Sequence, residues 1–155
     1  MKKILLFCVV MGLLILPLTG CRMGAPDVPG TPGASNPELT PTQFELLHHN
    51  FYLTSVNGQP YPTSAQSPRI EFNEGFRVSG QICNTFSGFG ELTDNILVVK
   101  EMVSTKMFCA DPNLNNLENL LTTLLQEGVT IQKQTTTLTL SRGSDVLGFT
   151  LRDWV

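Results

Sequence analysis

The sequence predicts a domain in which β-strands surround one amphipathic helix. Short runs rich in β-branched and aromatic residues alternate with turn dipeptides over residues 51–99, and again over residues 129–151. Between these two groups, residues 111–128 carry leucines at helical spacing. Because short turns join neighbouring strands, we expect hairpins and therefore antiparallel pairing.

The first group of strands is marked by its turns. A strand over residues 51–56 ends at Asn57-Gly58, a dipeptide that favours tight hairpin turns. Two hairpins follow, with strands at 70–73 and 76–80 around Glu74-Gly75, and at 89–93 and 96–99 around Asp94-Asn95. A short helical turn is expected before them, over residues 41–47, with Phe44 and Leu47 facing inward.

The helix is the clearest single element. Its leucines fall at positions 114, 117, 120, 121, 124 and 125, which form one stripe. Asp111 before Pro112 is suited to begin the helix, and Gly128 is suited to end it. The stripe could dock a lipid or a partner, but such a stripe is more often the core face of a helix. After it we expect a meander of three strands, at 129–133, 137–141 and 146–151.

The first twenty residues have the pattern of a secretion signal. Lys2 and Lys3 precede an apolar run over residues 4–16, and Pro17 and small residues follow it. The run is too short to span a bilayer, which requires roughly 20 apolar residues. We therefore expect residues 1–20 to be removed as a signal peptide.

The end of this signal, Leu18-Thr19-Gly20-Cys21, resembles the bacterial lipobox. The resemblance implies that the thiol of Cys21 receives a diacylglyceryl group and that the chain is cut before it. An ordinary signal peptide with a free cysteine at that place is the alternative. Arg22 stands where an Asp would retain a lipoprotein in the inner membrane, so we expect anchoring to the outer membrane with the domain in the periplasm.

Residues 21–41 are expected to form a lipidated tether. Prolines and glycines recur among small polar residues, and there is too little apolar surface for a core. The folded domain is therefore expected over residues 42–155.

Cysteine usage predicts one disulfide. Of four cysteines, Cys8 leaves with the signal and Cys21 carries lipid, so Cys83 and Cys109 remain in an oxidising compartment. A bridge between them would stabilise the fold by roughly 3 kcal/mol. The alternative is a redox-active dithiol, which we rank lower because no Cys-x-x-Cys motif is present.

No catalytic residues, metal ligands or cofactors are predicted. His48 and His49 are the only histidines, and neighbours on a strand point to opposite faces, so they cannot easily share a metal. The carboxylates are scattered, and no phosphate loop or nucleophile motif is present. Asn84 is expected to hydrogen-bond a turn backbone, which is a far more common role than catalysis.

Charge argues against nucleic acid as a partner. Loss of Lys2 and Lys3 leaves eight of ten basic residues against thirteen acidic residues, a net charge near −5. Contact with the membrane should therefore come from the lipid on Cys21 and not from a basic patch.

Two segments carry a resemblance to a known family. Residues 80–88, Gly-Gln-Ile-Cys-Asn-Thr-Phe-Ser-Gly, and residues 104–109, Ser-Thr-Lys-Met-Phe-Cys, followed by the leucine helix, resemble the META domain and most closely its HslJ-like heat-inducible lipoproteins. The resemblance implies an α+β fold, with a curved antiparallel sheet or part-barrel packed by one long amphipathic helix. It also implies a loose association with envelope stress, and it brings no established biochemical activity.

Two classes of function remain from the sequence. The first is a non-enzymatic, stress-associated interaction domain that binds an unidentified envelope protein. The second is a carrier for a small apolar ligand, with a cavity between helix and sheet near Phe72, Phe86, Phe89 and Leu121. An unfilled cavity there would favour the carrier, whereas a filled core with an exposed apolar patch would favour the interaction domain. A thiol-redox enzyme ranks last, because it needs Cys83 or Cys109 to be exposed.

Overall fold

The computed structural model describes residues 40–62, 64 and 66–153. This part of the chain holds nine strands and two α-helices, with a 3-10 turn at Glu74–Phe76. In chain order they are α1 Pro41–Leu46, β1 His49–Val56, β2 Gln59–Pro60, β3 Arg69–Asn73, β4 Arg77–Gln81, β5 Thr85–Thr93, β6 Ile96–Ser104, α2 Pro112–Glu127, β7 Val129–Gln134, β8 Thr137–Arg142 and β9 Asp145–Leu151.

The strands form a closed antiparallel β-barrel, and the predicted α+β fold is therefore wrong. Strand β1 pairs with β3, and each strand from β3 to β8 pairs with the one that follows it. Strand β9 then pairs with β1, from Phe51 opposite Leu151 to Val56 opposite Leu147. This last pairing closes a ring of eight strands, to which the two-residue β2 is added beside β1. The sheet thus encloses the core by itself, as in other closed barrels. It is not a curved sheet or part-barrel covered by a helical layer.

Small residues and bulges allow the sheet to curve this strongly. Gly80 lies opposite Phe86, whose ring occupies the place where a side chain at residue 80 would stand. The β5–β6 ladder shifts register between Ser87 and Phe89, and Glu101 has a positive φ of 49° on the partner strand. Bulges of this kind bend a strand and increase its twist, which a barrel of this size requires.

Helix α2 has the predicted bounds but a different place in the architecture. Asp111 is its N-cap, with a side chain that accepts from the Asn113 N–H, and Gly128 is its C-cap. The helix connects β6 to β7 at a point where only Ile96 and Leu97 of β6 pair with β7. It lies against β6, and its buried leucines join the barrel core. It is therefore the connection between β6 and β7, with an apolar face that joins the barrel core, and not a separate layer over a sheet.

The remaining predicted elements are confirmed with small changes. The turns at Asn57-Gly58 and Asp94-Asn95 are present, and the C-terminal meander has the predicted three strands. Strands β5 and β6 are longer than expected. In α1, Phe44 is 73% exposed and Leu46 is fully buried, so the predicted inward position of Phe44 is wrong, whereas Leu47 is partly buried against the core as expected. The capping box of Thr40 and Gln43 fixes the start of this short helix.

Candidate functional site

The two predicted cysteines meet at one end of the barrel. Cys83 lies in the turn between β4 and β5, and Cys109 lies two residues before the cap of α2. A disulfide joins them, with their α-carbons 6.0 Å apart. The bridge ties a hairpin turn of the barrel to the segment that leads into the helix.

Asn84 organises the same place through hydrogen bonds. Its side chain is almost fully buried, at 6% exposure. Its Oδ1 accepts from the Met107 backbone N–H at 2.6 Å and from the Thr105 hydroxyl at 3.0 Å. Its backbone N–H and its Nδ2 donate to the two carboxylate oxygens of Glu118, at 2.8 and 2.9 Å. Asn84 therefore bonds to backbone, but to that of the loop before α2 and not to that of its own turn. The link to α2 is an addition that the sequence did not indicate.

The segment held by Asn84 presents an exposed apolar surface. Met107 and Phe108 are both exposed, Met107 at 61% and Phe108 at 93%. We call these two residues the Phe108 patch. Since the loop beneath it is fixed by a disulfide and by Asn84, the patch is presented on a supported backbone. The sequence contained a signal for it, because Met107 and Phe108 are large apolar residues in a connection with neither strand nor helix periodicity.

A groove runs between this loop and the helix. Its volume is about 510 Å³, and its lining includes Asn84, Met107, Phe108, Glu118, Thr122 and Gln126. Polar groups of α2 therefore face apolar groups of the loop across a space that solvent can enter. We call it the α2 groove.

The space that the sequence assigned to an apolar ligand is filled. Phe72, Phe86 and Leu121 are packed within one core cluster. Phe89 is on the outside of the barrel, where the Arg77 guanidinium lies 4.5 Å from the centre of its ring.

A smaller apolar pocket of about 280 Å³ lies elsewhere, lined by Val56, Tyr61, Leu117 and Leu120 together with Asn113 and Asn116. Tyr61 has a pKa raised above its usual value, because its hydroxyl is partly desolvated and because Asp111 disfavours a second negative charge. Tyr61 is therefore a neutral hydroxyl at physiological pH. A neutral tyrosine suits an apolar pocket of this kind.

Both histidines reach the surface. His48 is exposed, and the His49 Nδ1 lies 2.9 Å from the Asp153 Oδ2, with both of these side chains partly exposed. This contact ties the end of the described chain to the start of β1.

The predicted lipidation residue, Cys21, the predicted signal and the predicted tether up to residue 39 lie outside the described residues. The last two tether positions belong instead to the folded domain, because Thr40 caps α1 and Pro41 begins it. Among the residues that are described, neither helix combines the length and the apolar character needed to cross a membrane.

Comparison with known proteins gives consistent results. Residues 44–154 match the META domain family. Heat shock protein HslJ of Escherichia coli (strain K12) is 39% identical over 119 residues, which cover 77% of this chain and 85% of HslJ.

Solved structures agree with this assignment. One protein solved by NMR is 38% identical, with a TM-score of 0.65 over 72% of this chain and 95% of its own. Another, from Burkholderia xenovorans, is 17% identical, with a TM-score of 0.57 over 81% of this chain and 99% of its own, a likeness that shows the fold alone. With a family match across nearly the whole barrel and a heat shock relative at 39% identity, the chain belongs to the META domain family.

Proposed function

We propose that this protein is a non-enzymatic envelope lipoprotein whose META domain is an interaction domain used under heat or antibiotic stress. Lipid on Cys21 anchors it to the outer membrane, with the domain in the periplasm, and its partner is an unidentified envelope protein. The name of the relative HslJ, a heat shock protein, supports the association with stress.

The Phe108 patch is the observation that carries the proposal. Burial of a phenylalanine side chain contributes roughly 1.5–3 kcal/mol of free energy, which Phe108 lacks in the free domain because it is 93% exposed. A partner surface that covers Phe108 would add this contribution to the free energy of binding. Supported aromatic side chains are the usual centres of protein interfaces. The core supports the same reading, because Phe72, Phe86 and Leu121, beside which the sequence placed a ligand cavity, pack against one another in one core cluster.

The anchor is supported by the lipobox and by the composition of the tether. At about 3 Å per residue, a proline-rich tether of this length would hold the domain up to several tens of ångströms from the lipid. The domain could then meet a partner at a distance from the membrane surface.

Replacement of Cys21 by alanine tests the anchor. Labelling with radioactive palmitate and fractionation of membranes should show loss of acylation and accumulation of uncleaved precursor in Cys21→Ala. A lipidated protein that separates with inner membranes would contradict the outer-membrane assignment. Normal processing and membrane retention of the variant would contradict the anchor itself.

Crosslinking in intact envelopes tests the interaction domain. We compare Phe108→Ser with Phe44→Ser, a matched control because Phe44 is an exposed phenylalanine on α1. A partner specific to the domain should be crosslinked by the native chain and by Phe44→Ser, and lost with Phe108→Ser. Equal crosslinking in all three proteins would contradict a role for the patch.

The second candidate, a small apolar-ligand carrier, is favoured by the pocket lined by Val56, Tyr61, Leu117 and Leu120. Its volume lies just below the range of typical small-molecule sites, about 300–1,000 Å³. Titration with a fluorescent fatty acid should give saturable binding that Leu120→Trp removes by filling the pocket. Binding that Leu120→Trp leaves unchanged would exclude this site.

A further inference from the structure

Three metal-ligating atoms converge beside the α2 groove. The sulfurs of Cys83 and Cys109 and a carboxylate oxygen of Glu118 all lie within 4.8 Å of one another. We propose that reduction of the disulfide converts this cluster into a binding site for one thiophilic divalent metal ion, with Zn²⁺ as its simplest occupant. The inference goes beyond the proposed interaction function and does not depend on it.

The ligand set has the composition of a zinc site. Thiolate sulfur and carboxylate oxygen are both common zinc ligands, and two thiolates select against Mg²⁺ and Ca²⁺. Tetrahedral zinc holds two sulfurs about 3.8 Å apart, given Zn–S distances of about 2.3 Å. The present cluster is compact enough for this arrangement after small movements of the side chains. Three protein ligands leave a fourth position for water.

The frame that holds the ligands does not depend on the disulfide. Asn84 fixes the loop through the Met107 backbone N–H and the Thr105 hydroxyl, and it fixes Glu118 through two further hydrogen bonds. On the other side, the Asn115 side chain donates to the Cys109 carbonyl oxygen at 3.3 Å. Reduction therefore removes one covalent link but leaves both thiols on anchored backbone, so the site is preorganised.

Access and charge also suit a cation. Glu118 and Asn84 line the α2 groove, so an ion can reach the cluster without unfolding of the barrel. The Glu118 carboxylate accepts two hydrogen bonds from Asn84. A carboxylate has about four acceptor positions, so it can keep these bonds and still coordinate a metal. Asn84 would then orient the carboxylate, as outer hydrogen bonds do at other metal sites.

The redox step balances with a dithiol as reductant. The reductant gives two electrons and two protons, the bond between the sulfurs of Cys83 and Cys109 breaks, and the dithiol becomes a disulfide. The two thiols then lose their protons to solvent as Zn²⁺ binds their sulfurs. Two thiolates and the carboxylate then surround the dication. Because binding releases the two thiol protons, the affinity for Zn²⁺ increases as pH rises.

The test uses the mature lipidated protein in detergent micelles. It is reduced with a dithiol, freed of reductant under argon and titrated with Co²⁺, which gives a sulfur-to-metal absorption band when thiolates bind it. One Co²⁺ per chain should bind the reduced protein, Zn²⁺ should displace it, and the oxidised protein should show no such band. Absence of the band in the reduced protein would overturn the proposal.

Variants separate this site from nonspecific binding to free thiols. Cys83→Ser should abolish the band, and Glu118→Gln should weaken Zn²⁺ affinity at least tenfold. Glu127→Gln, on the last turn of the same helix, is the matched control and should bind like the native chain. Equal affinity in Glu118→Gln and Glu127→Gln would overturn the role of Glu118.

Circular dichroism of the reduced, metal-free protein gives a second readout. The spectrum should match that of the oxidised protein, because the Asn84 frame holds the loop. Loss of the β-sheet signal on reduction would also overturn the proposal, which requires an anchored dithiol.

Discussion

Asn84 shows how a polar side chain is accommodated beside the barrel core. A buried amide without partners would cost at least 1–3 kcal/mol. Here its oxygen accepts two hydrogen bonds, and its nitrogen donates to Glu118. The Asn84 side chain therefore joins three parts of the chain, namely a hairpin turn, the loop before α2, and α2 itself.

Replacement of Asn84 by alanine should lower the free energy of unfolding by about 2–3 kcal/mol. The loss comes from the loop N–H and the Thr105 hydroxyl, which would lack their acceptor. Urea denaturation measures the change. Asn119→Ala is the control, since Asn119 is exposed on α2, and it should change stability by less than about 0.5 kcal/mol. Equal effects of the two substitutions would contradict the role of Asn84.

Gly80 tests close packing at a single position. An added β-carbon would stand 2.5 Å from both the Arg69 carbonyl oxygen and the ring of Phe86. Since one of these atoms is backbone, Gly80→Ala should cost about 2 kcal/mol or more in thermal or urea unfolding. Ser79→Ala on the same strand removes only one half-buried hydrogen bond, from Asn73, and should cost less than about 1 kcal/mol. Near-native stability of Gly80→Ala would show that Phe86 can move aside.

At the residue scale the sequence predicted a backbone hydrogen bond for Asn84 but not its partner. The bond is made to Met107, 23 positions along the chain, whereas turn chemistry is local. Glu118 was not predictable as a partner of Asn84 either, because the two residues are separated by 34 positions and the helix pattern marks only leucines. The pairing of Cys83 with Cys109 was predicted from cysteine usage, but the position of Glu118 beside them was missed for the same reason.

At the scale of elements, local signals were the most reliable. Helix α2 begins after Asp111 and ends before Gly128, as its caps and leucine stripe predicted. Strands β5 and β6 extend beyond their predicted ends, because backbone pairing continues from Phe86 opposite Ser104, past a bulge that interrupts the alternation. A bulge hides the period of two on which strand prediction depends.

The leucines of α2 should differ strongly in their effect on stability. Leu121 is 1% exposed and belongs to the core, whereas Leu114 is only partly buried against it. Leu121→Ala should therefore cost about 3–4 kcal/mol and Leu114→Ala about 1 kcal/mol in urea unfolding. Similar costs at both positions would mean that the helix packs differently against β6.

At the scale of the whole molecule, the failure of the predicted fold class has a specific cause. Alternation and turns identify strands and neighbouring pairs, but they do not say whether the first and last strands meet. Here β1 and β9 pair at five positions, and this one contact converts a curved sheet into a closed barrel. Closure also removes the exposed edges that an open sheet would present.

The seam between β1 and β9 gives the most direct test of closure. A β-carbon at Gly148 would collide with the Ser55 hydroxyl across this seam. Gly148→Val should therefore destabilise the protein by about 2 kcal/mol, and Ser55→Gly should cost less, because Ser55 is only half-buried.

In the double variant the valine finds the space that Ser55 leaves, so the two effects should not add. A double-mutant cycle measured by urea unfolding should give a favourable coupling of at least about 1 kcal/mol. Gly148→Val combined with Ser79→Ala, whose residues lie on the non-adjacent strands β9 and β4, should give a coupling near zero. In an open sheet β1 and β9 would lie at separate edges, so Ser55 and Gly148 would show no coupling. A coupling near zero between these two residues would therefore contradict the closed barrel.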